Sequence, residues 1–210
     1  MNLKLIVIDM KETRTYTMTT RAEASERTRL RILDAAVELT NSRLVSEISL
    51  DDVAAGAGVS VQTVLRRFGS RVELMDAAHR HGAVLVAAER RVPVGDVVGA
   101  VRVVVDHYEL RGDGVVLRLA QEGSDEQVRT IVAHGRRLHR TWVEDVFAPH
   151  LPGQPADREA LIDLLAVATD VYTWKQLRRD RGLSRSRTAA RMHQLVSALL
   201  AAPILPRQET

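Results

Sequence analysis

Cysteine is absent from the 210 residues, which excludes disulfide scaffolds, thiolate metal sites and cysteine nucleophiles. Aromatic residues make up only 3% of the chain, too few for the stacking platforms of single-strand-binding folds. No apolar run approaches the roughly 20 residues that span a bilayer, and the short stretch Leu3 to Ile8 is not followed by a small-residue cleavage pattern. A protein of the cytoplasm, without a membrane span, is expected. Lysine supplies only three of the 30 basic residues, Lys4, Lys11 and Lys175. Two of those fall in residues 1–17, a stretch that also lacks alanine and glycine. That foreign composition predicts either an upstream extension ahead of a natural start at Met18 or a disordered arm, with residues 1–22 as a whole lacking fixed structure.

Charge of one sign is also scarce in excess: 30 basic against 27 acidic groups leaves a net +3. Residues 1–82 hold 12 basic and 11 acidic groups, and residues 83–210 hold 18 and 16, so neither part is a polycation. Any nucleic-acid surface has to be a local cluster.

What is present is an ordinary globular composition, 45% hydrophobic with 12 Gly and 6 Pro, able to bury a core. Ile32, Leu33, Ala36 and Leu39 recur at helical spacing within 23–41. Leu44 to Ile48 reads as a connector. Ser49 is a suitable N-cap, with Asp51 and Asp52 in the first turn, for a short helix ending at Gly56 or Gly58. Ser60 repeats the device for a helix over 61–68, and Gly69-Ser70 precedes a fourth helix from Arg71 to about Val86. After Pro93, Val97, Val101, Val104, Val105 and Tyr108 predict a helix rather than a strand, because the period near 3.6 outlasts an ordinary strand. Arg111-Gly112-Asp113-Gly114 reads as a turn, followed by helices over 115–121, 125–147, 157–180 and 184–201. The expected architecture is all-α, about nine helices.

Two short helices joined by Ala57-Gly58-Val59-Ser60 fit a helix-turn-helix, in which a glycine-containing turn lets the second helix lie across the first and enter the DNA major groove. Arg31-Ile32-Leu33-Asp34-Ala35-Ala36, then Ser49-Leu50-Asp51-Asp52-Val53-Ala54, then Ala57-Gly58-Val59-Ser60, then Phe68-Gly69-Ser70-Arg71 and Leu74 follow in order. Over 27–75 this block resembles the tetracycline-repressor-like (TetR) family of bacterial transcription regulators. The resemblance implies an all-helical homodimer: a three-helix head over 23–82, a helical ligand-binding and dimerisation domain over 83–205, and release of an operator when a small molecule binds. Residues 170–183 also resemble the dimerisation region of one branch of the family. Family members usually carry Tyr where this chain has Leu65, an aromatic at Thr40, Gly at Leu44 and Lys at Arg71.

Residues 60–71 contain three Arg and no acid, the local cluster that the net charge conceals. Gln62 suits adenine or another base edge, and Arg66 suits guanine O6 and N7 or a phosphate. Arg67 and Arg71 are candidates for phosphate, and Ser49, Ser60 and Thr63 for hydroxyl contacts that fix register. Leu65 removes a hydroxyl from the same surface. A solvated polar face is the plainer alternative for each.

Between Lys175 and Arg191 seven basic residues accompany one acid, a denser run than the helix-turn-helix itself. It reads as a second DNA surface or, more simply, as solvated charge around helix ends. The histidines show no tight ligand spacing, and no phosphate loop, Gly-x-Ser-x-Gly elbow or His-Glu-x-x-His pair occurs, so no metal, cofactor or catalytic residue is assigned. A helical interaction protein without DNA binding is the alternative class. Tyr108, Leu119, Trp142, Phe147, Tyr172 and Trp174 are candidates to line an effector pocket, or simply to pack the core. Leu161, Leu164, Leu165, Val171, Leu195, Leu199 and Leu200 are candidates for pairing the last two helices with those of a second copy.

Overall fold

A computed structural model describes the backbone of residues 5–202 and the side chains of residues 22–202. The elements are α1 (Leu5–Leu39), a 3-10 turn (Val45–Glu47), α2 (Leu50–Ala57), α3 (Val61–Phe68), α4 (Arg71–Glu89), α5 (Val97–Gln121), α6 (Glu126–Val146), a 3-10 turn (Ala148–His150), α7 (Pro155–Ala168), α8 (Val171–Lys175), a π-helical turn (Gln176–Asp180) and α9 (Arg185–Ala201). No strand occurs among the described residues, and the chain is all-α as expected. None of the described helices is long and apolar enough to cross a membrane.

The chain divides into two compact units, a head of residues 1–39 and 48–82 and a body of residues 40–47 and 83–210. The sequence suggests a simple cut near residue 82; instead the connector 40–47 joins the body. Its partners explain this. Gln121 Oε1 accepts from the Val45 amide at 3.0 Å, Arg118 donates to the Thr40 carbonyl at 2.9 Å, and a Cβ on Gly114 would stand 2.5 Å from the Asn41 Cα.

In the head, α1 starts at Leu5 rather than near residue 23. Over residues 5–22, part of the stretch expected to lack fixed structure, the backbone is helical, and neither glycine nor proline precedes Gly56 to interrupt it. The question of a start at Met18 concerns side chains outside the described residues. Ile32, Leu33 and Ala36 of α1 are buried with Val53, Ala54 and Val64, and with Leu74, Met75 and Ala78 of α4. The Cβ that Gly56 lacks would approach that of Ala35 to 3.3 Å, so α2 crosses α1 closely.

In the body, one core joins Val101, Val104, Val105 and Tyr108 of α5 to Val143 and Phe147, to Leu161, Ile162 and Leu165 of α7, to Trp174, and to Met192 and Val196 of α9. Two expectations fail here. Arg111 to Gly114 is not a turn, since α5 runs unbroken through it. Gly112 is buried against the Trp174 ring, where a Cβ would come within 2.5 Å of Cζ3. Close packing, not chain reversal, is what these glycines serve. Residues 157–180 are not one helix either: Thr169 Oγ1 turns back onto the Leu165 carbonyl at 2.7 Å, and Asp170 caps a new helix by accepting from the Tyr172 amide at 2.8 Å.

Candidate nucleic-acid interface

The helix-turn-helix is built by local chemistry. Ser49 and Asp52 form a capping box on α2: Ser49 Oγ accepts from the Asp52 amide at 3.1 Å, and Asp52 accepts from the Ser49 amide at 2.8 Å. Gly58 closes α2 at φ 63°, a left-handed conformation that favours glycine, and Val59 N returns to the Ala54 carbonyl at 3.0 Å. Ser60 then caps α3 by accepting from the Thr63 amide at 3.2 Å. The Ser60 and Thr63 hydroxyls also lie 3.0 Å apart, and the Ser49 hydroxyl donates to Asp52 at 2.6 Å. All three hydroxyls are already used in holding helix ends.

Along α3, Val64 is fully buried and anchors the helix. Val61, Gln62, Leu65 and Arg66 line the opposite surface, with Gln62, Leu65 and Arg66 exposed, Leu65 to 40%. This is the i, i+1, i+4, i+5 stripe of a helix whose other side is core. Neither Gln62 nor Arg66 has a side-chain hydrogen bond or ion pair among the described residues.

Arg67 and Arg71 are placed differently. Arg67 Nη1 donates to Ser25 Oγ of α1 at 3.0 Å, while its Nε is buried and unpartnered. Arg71 Nε donates to the Ile48 carbonyl at 2.7 Å, and the Glu73 amide in the first turn of α4 is taken by Ser70 Oγ at 3.2 Å. Both arginines tie head elements together. Sequence reasoning passed over one further feature: Arg27, Thr28 and Arg31 share a face of α1 with Ala24, and both arginines are exposed. Their i, i+1, i+4 spacing was the available signal.

Of the body's aromatic candidates, Phe147 and Trp174 are fully enclosed and Tyr108 nearly so, its hydroxyl donating to the Thr169 carbonyl at 3.2 Å. Trp174 Nε1 donates to Glu109 at 3.0 Å and Trp142 Nε1 to the Arg90 carbonyl at 3.0 Å. Leu119 is half-buried against the core, whereas Tyr172 is exposed. Four of the seven basic residues in the run 175–191 are ion-paired. Lys175 meets Asp180 at 2.8 Å, Arg178 meets Glu109 at 2.8 Å, Arg179 grips Asp113 with two bonds of 2.9 Å, and Arg185 Nε meets Asp106 at 2.9 Å.

Residues 32–78 match the family model described as bacterial regulatory proteins, tetR family. No curated protein matches the chain in sequence. Among solved structures, a tetR-family transcriptional regulator from Streptomyces coelicolor is similar at a TM-score of 0.63 and 21% identity, over 83% of this chain and 79% of that one. A putative TetR-family transcriptional regulator from Rhodococcus sp. gives a TM-score of 0.63 at 17% identity, over 83% and 99% of the two chains. A putative transcriptional regulator from Saccharomonospora viridis, solved in complex with choline, gives 0.57 at 18% identity, over 80% and 95%. The head thus matches the tetR family model over residues 32–78, and the all-helical fold is the one these regulator structures share.

Proposed function

We propose that the protein is a ligand-responsive repressor of the bacterial cytoplasm that binds a palindromic DNA operator as a homodimer and leaves it when a small molecule occupies the body. The observation that carries this reading is the outer face of α3, where Gln62, Leu65 and Arg66 stand exposed and the two polar side chains have no partner among the described residues. In the major groove Arg66 suits guanine O6 and N7, Gln62 suits adenine, and Leu65 suits a thymine methyl where the family's tyrosine would reach elsewhere. Ser49, Ser60, Thr63, Arg67 and Arg71 border that face and suit phosphates, as do the exposed Arg27 and Arg31.

Homodimerisation is supported by Leu164 and Val167 on α7 and Leu195 on α9, apolar side chains from 46% to 66% exposed on two helices that pack together. Two heads then meet half-sites about 34 Å apart, and a ligand that favours another spacing releases the DNA. The choline complex of the Saccharomonospora viridis structure supports a small-ligand role for this fold. Selection from a random duplex library tests the reading directly. A palindromic motif with two half-sites is expected; enrichment of no sequence would leave a helical interaction protein instead.

A further inference from the structure

Several arginines of the body meet carboxylates, among them Arg111, Arg178 and Arg179; Arg90, though buried, does not. It follows α4, is only 8% exposed, and has no ion pair among the described residues. Its Cζ lies 5.1 Å from the centre of the Tyr108 ring and 5.9 Å from that of Trp142. Nη1 sits 3.0 Å from Nδ1 of His139, whose Nε2 faces the Ala166 carbonyl and Thr169 Oγ1, each at 3.2 Å. That arrangement makes Nε2 the protonated nitrogen and leaves Nδ1 to accept from Arg90, so the groups that bond the guanidinium, this imidazole and the Tyr108 hydroxyl, are neutral. Burial, reinforced by the Arg90 charge, pushes the His139 pKa down to about 4, consistent with that tautomer. The Nε–H of Arg90 is buried and has no acceptor.

Among the described residues no carboxylate bonds it directly, and only Asp170 acts on its charge from a distance. Glu89 is held by Arg111 at 2.5 Å and His107 at 2.7 Å, and Asp170 is occupied in capping α8. A buried charge without a counter-ion is costly, and proteins retain one where a ligand supplies the partner. One positive charge with no directly bonded counter-ion suits a monoanion. The planar Nε edge of a guanidinium matches the two oxygens of a carboxylate, and the flanking Tyr108 and Trp142 rings suit a flat or apolar body.

We propose that Arg90, framed by Tyr108, Trp142 and His139, is a ligand site for a small organic carboxylate. Its role as the effector site rests on the repressor reading above; its existence as a carboxylate site does not. Cations such as choline are excluded, because the guanidinium already occupies the ring faces they would need.

Thermal melting of the full chain without DNA tests the site. Benzoate, phenylacetate, salicylate and octanoate at millimolar concentration are compared with the corresponding amides and with choline. At least one carboxylate is expected to raise the melting temperature, with no shift from any amide or from choline. Arg90→Met removes the buried charge that no carboxylate bonds directly and should melt about 2–4 °C above the unsubstituted protein, with no response to carboxylate. Arg90→Lys, which keeps the charge but loses the Nε edge, should melt as the parent does and lose most of the carboxylate shift. No carboxylate response in the parent, a lower melting temperature for Arg90→Met, or a full response in Arg90→Lys would each overturn the proposal. Operator release is scored separately by gel shift. A carboxylate that raises the melting temperature yet leaves the DNA complex intact upholds the site and defeats only its effector role.

Discussion

Two stretches of this chain are rich in arginine, and the structure treats them in opposite ways. Over 175–191 the charge is denser, yet Arg178, Arg179 and Arg185 reach back to Glu109, Asp113 and Asp106 of α5, and Lys175 pairs with Asp180. Over 60–71 there are only three arginines, but Arg66 is exposed and, like the neighbouring Gln62, without a partner among the described residues. Charge density is thus a poor guide to an interaction surface. Arg181 and Arg187 of the run are also exposed without a partner among the described residues, but they flank a loop; what distinguishes the head is a free cation and a free amide side by side on one helix face whose other side is core.

The largest effect expected from this difference is on DNA binding. Arg66→Ala should weaken operator binding by about 1–3 kcal/mol and relax the preference at one base position, as measured by titration against single-base operator variants. Unchanged affinity and specificity would remove Arg66 from the interface. In the body the cost falls on folding instead. Arg178→Met strands the part-buried Glu109, whose carboxyl Arg178 and Trp174 hold below its ordinary range against the opposing effect of burial. About 1–2 kcal/mol of stability should be lost in chemical denaturation, with operator affinity per folded molecule unchanged.

The body's buried charge also acts on its histidines. Burial, together with the Arg90 charge, lowers the pKa of His107 and His139 to about 4 each, although Glu89 opposes the shift at His107. The unfolded chain takes up those protons near pH 6.5 and the folded chain only near 4, so stability falls as pH drops through that window. Between pH 7 and 6 the two together should cost about 1 kcal/mol, read from the fluorescence of Trp142 and Trp174 during denaturation. Glu89, held near 2 by His107 and Arg111 despite its burial, gives up its contribution only at lower pH. A denaturation midpoint independent of pH over this range would show that these histidines titrate normally. The smallest effect belongs to Arg185→Ala, which breaks an exposed pair with Asp106 and should change stability by under about 0.5 kcal/mol and DNA binding not at all. A clear loss of operator affinity there would make the basic run a second DNA surface and end the contrast.

Much of the head was legible in its sequence because its determinants are local. Ser49 with Asp52, Gly58 and Ser60 set the ends of α2 and α3 through partners within a few residues, and helical period alone turns Gln62, Leu65 and Arg66 away from Val64. Arg67 was not legible in the same way, since its partner Ser25 lies 42 residues distant, and the sequence treats it as equivalent to Arg66. The body's misreadings share that cause. Gly112 looks like a turn residue until Trp174 is found against it, and Arg179 looks solvated until Asp113, 66 residues away, is found beside it.

The sequence by itself determined the helices, their caps, the glycine turn and the outward stripe of α3, because each depends on hydrogen bonds and periodicity within about one or two helical turns. Tertiary structure alone decided which arginines are spent and which remain available. Pairing is set by distance in space, and a buried guanidinium such as Arg90 is recognised as lacking a direct carboxylate partner only once Glu89 and Asp170 have been assigned theirs.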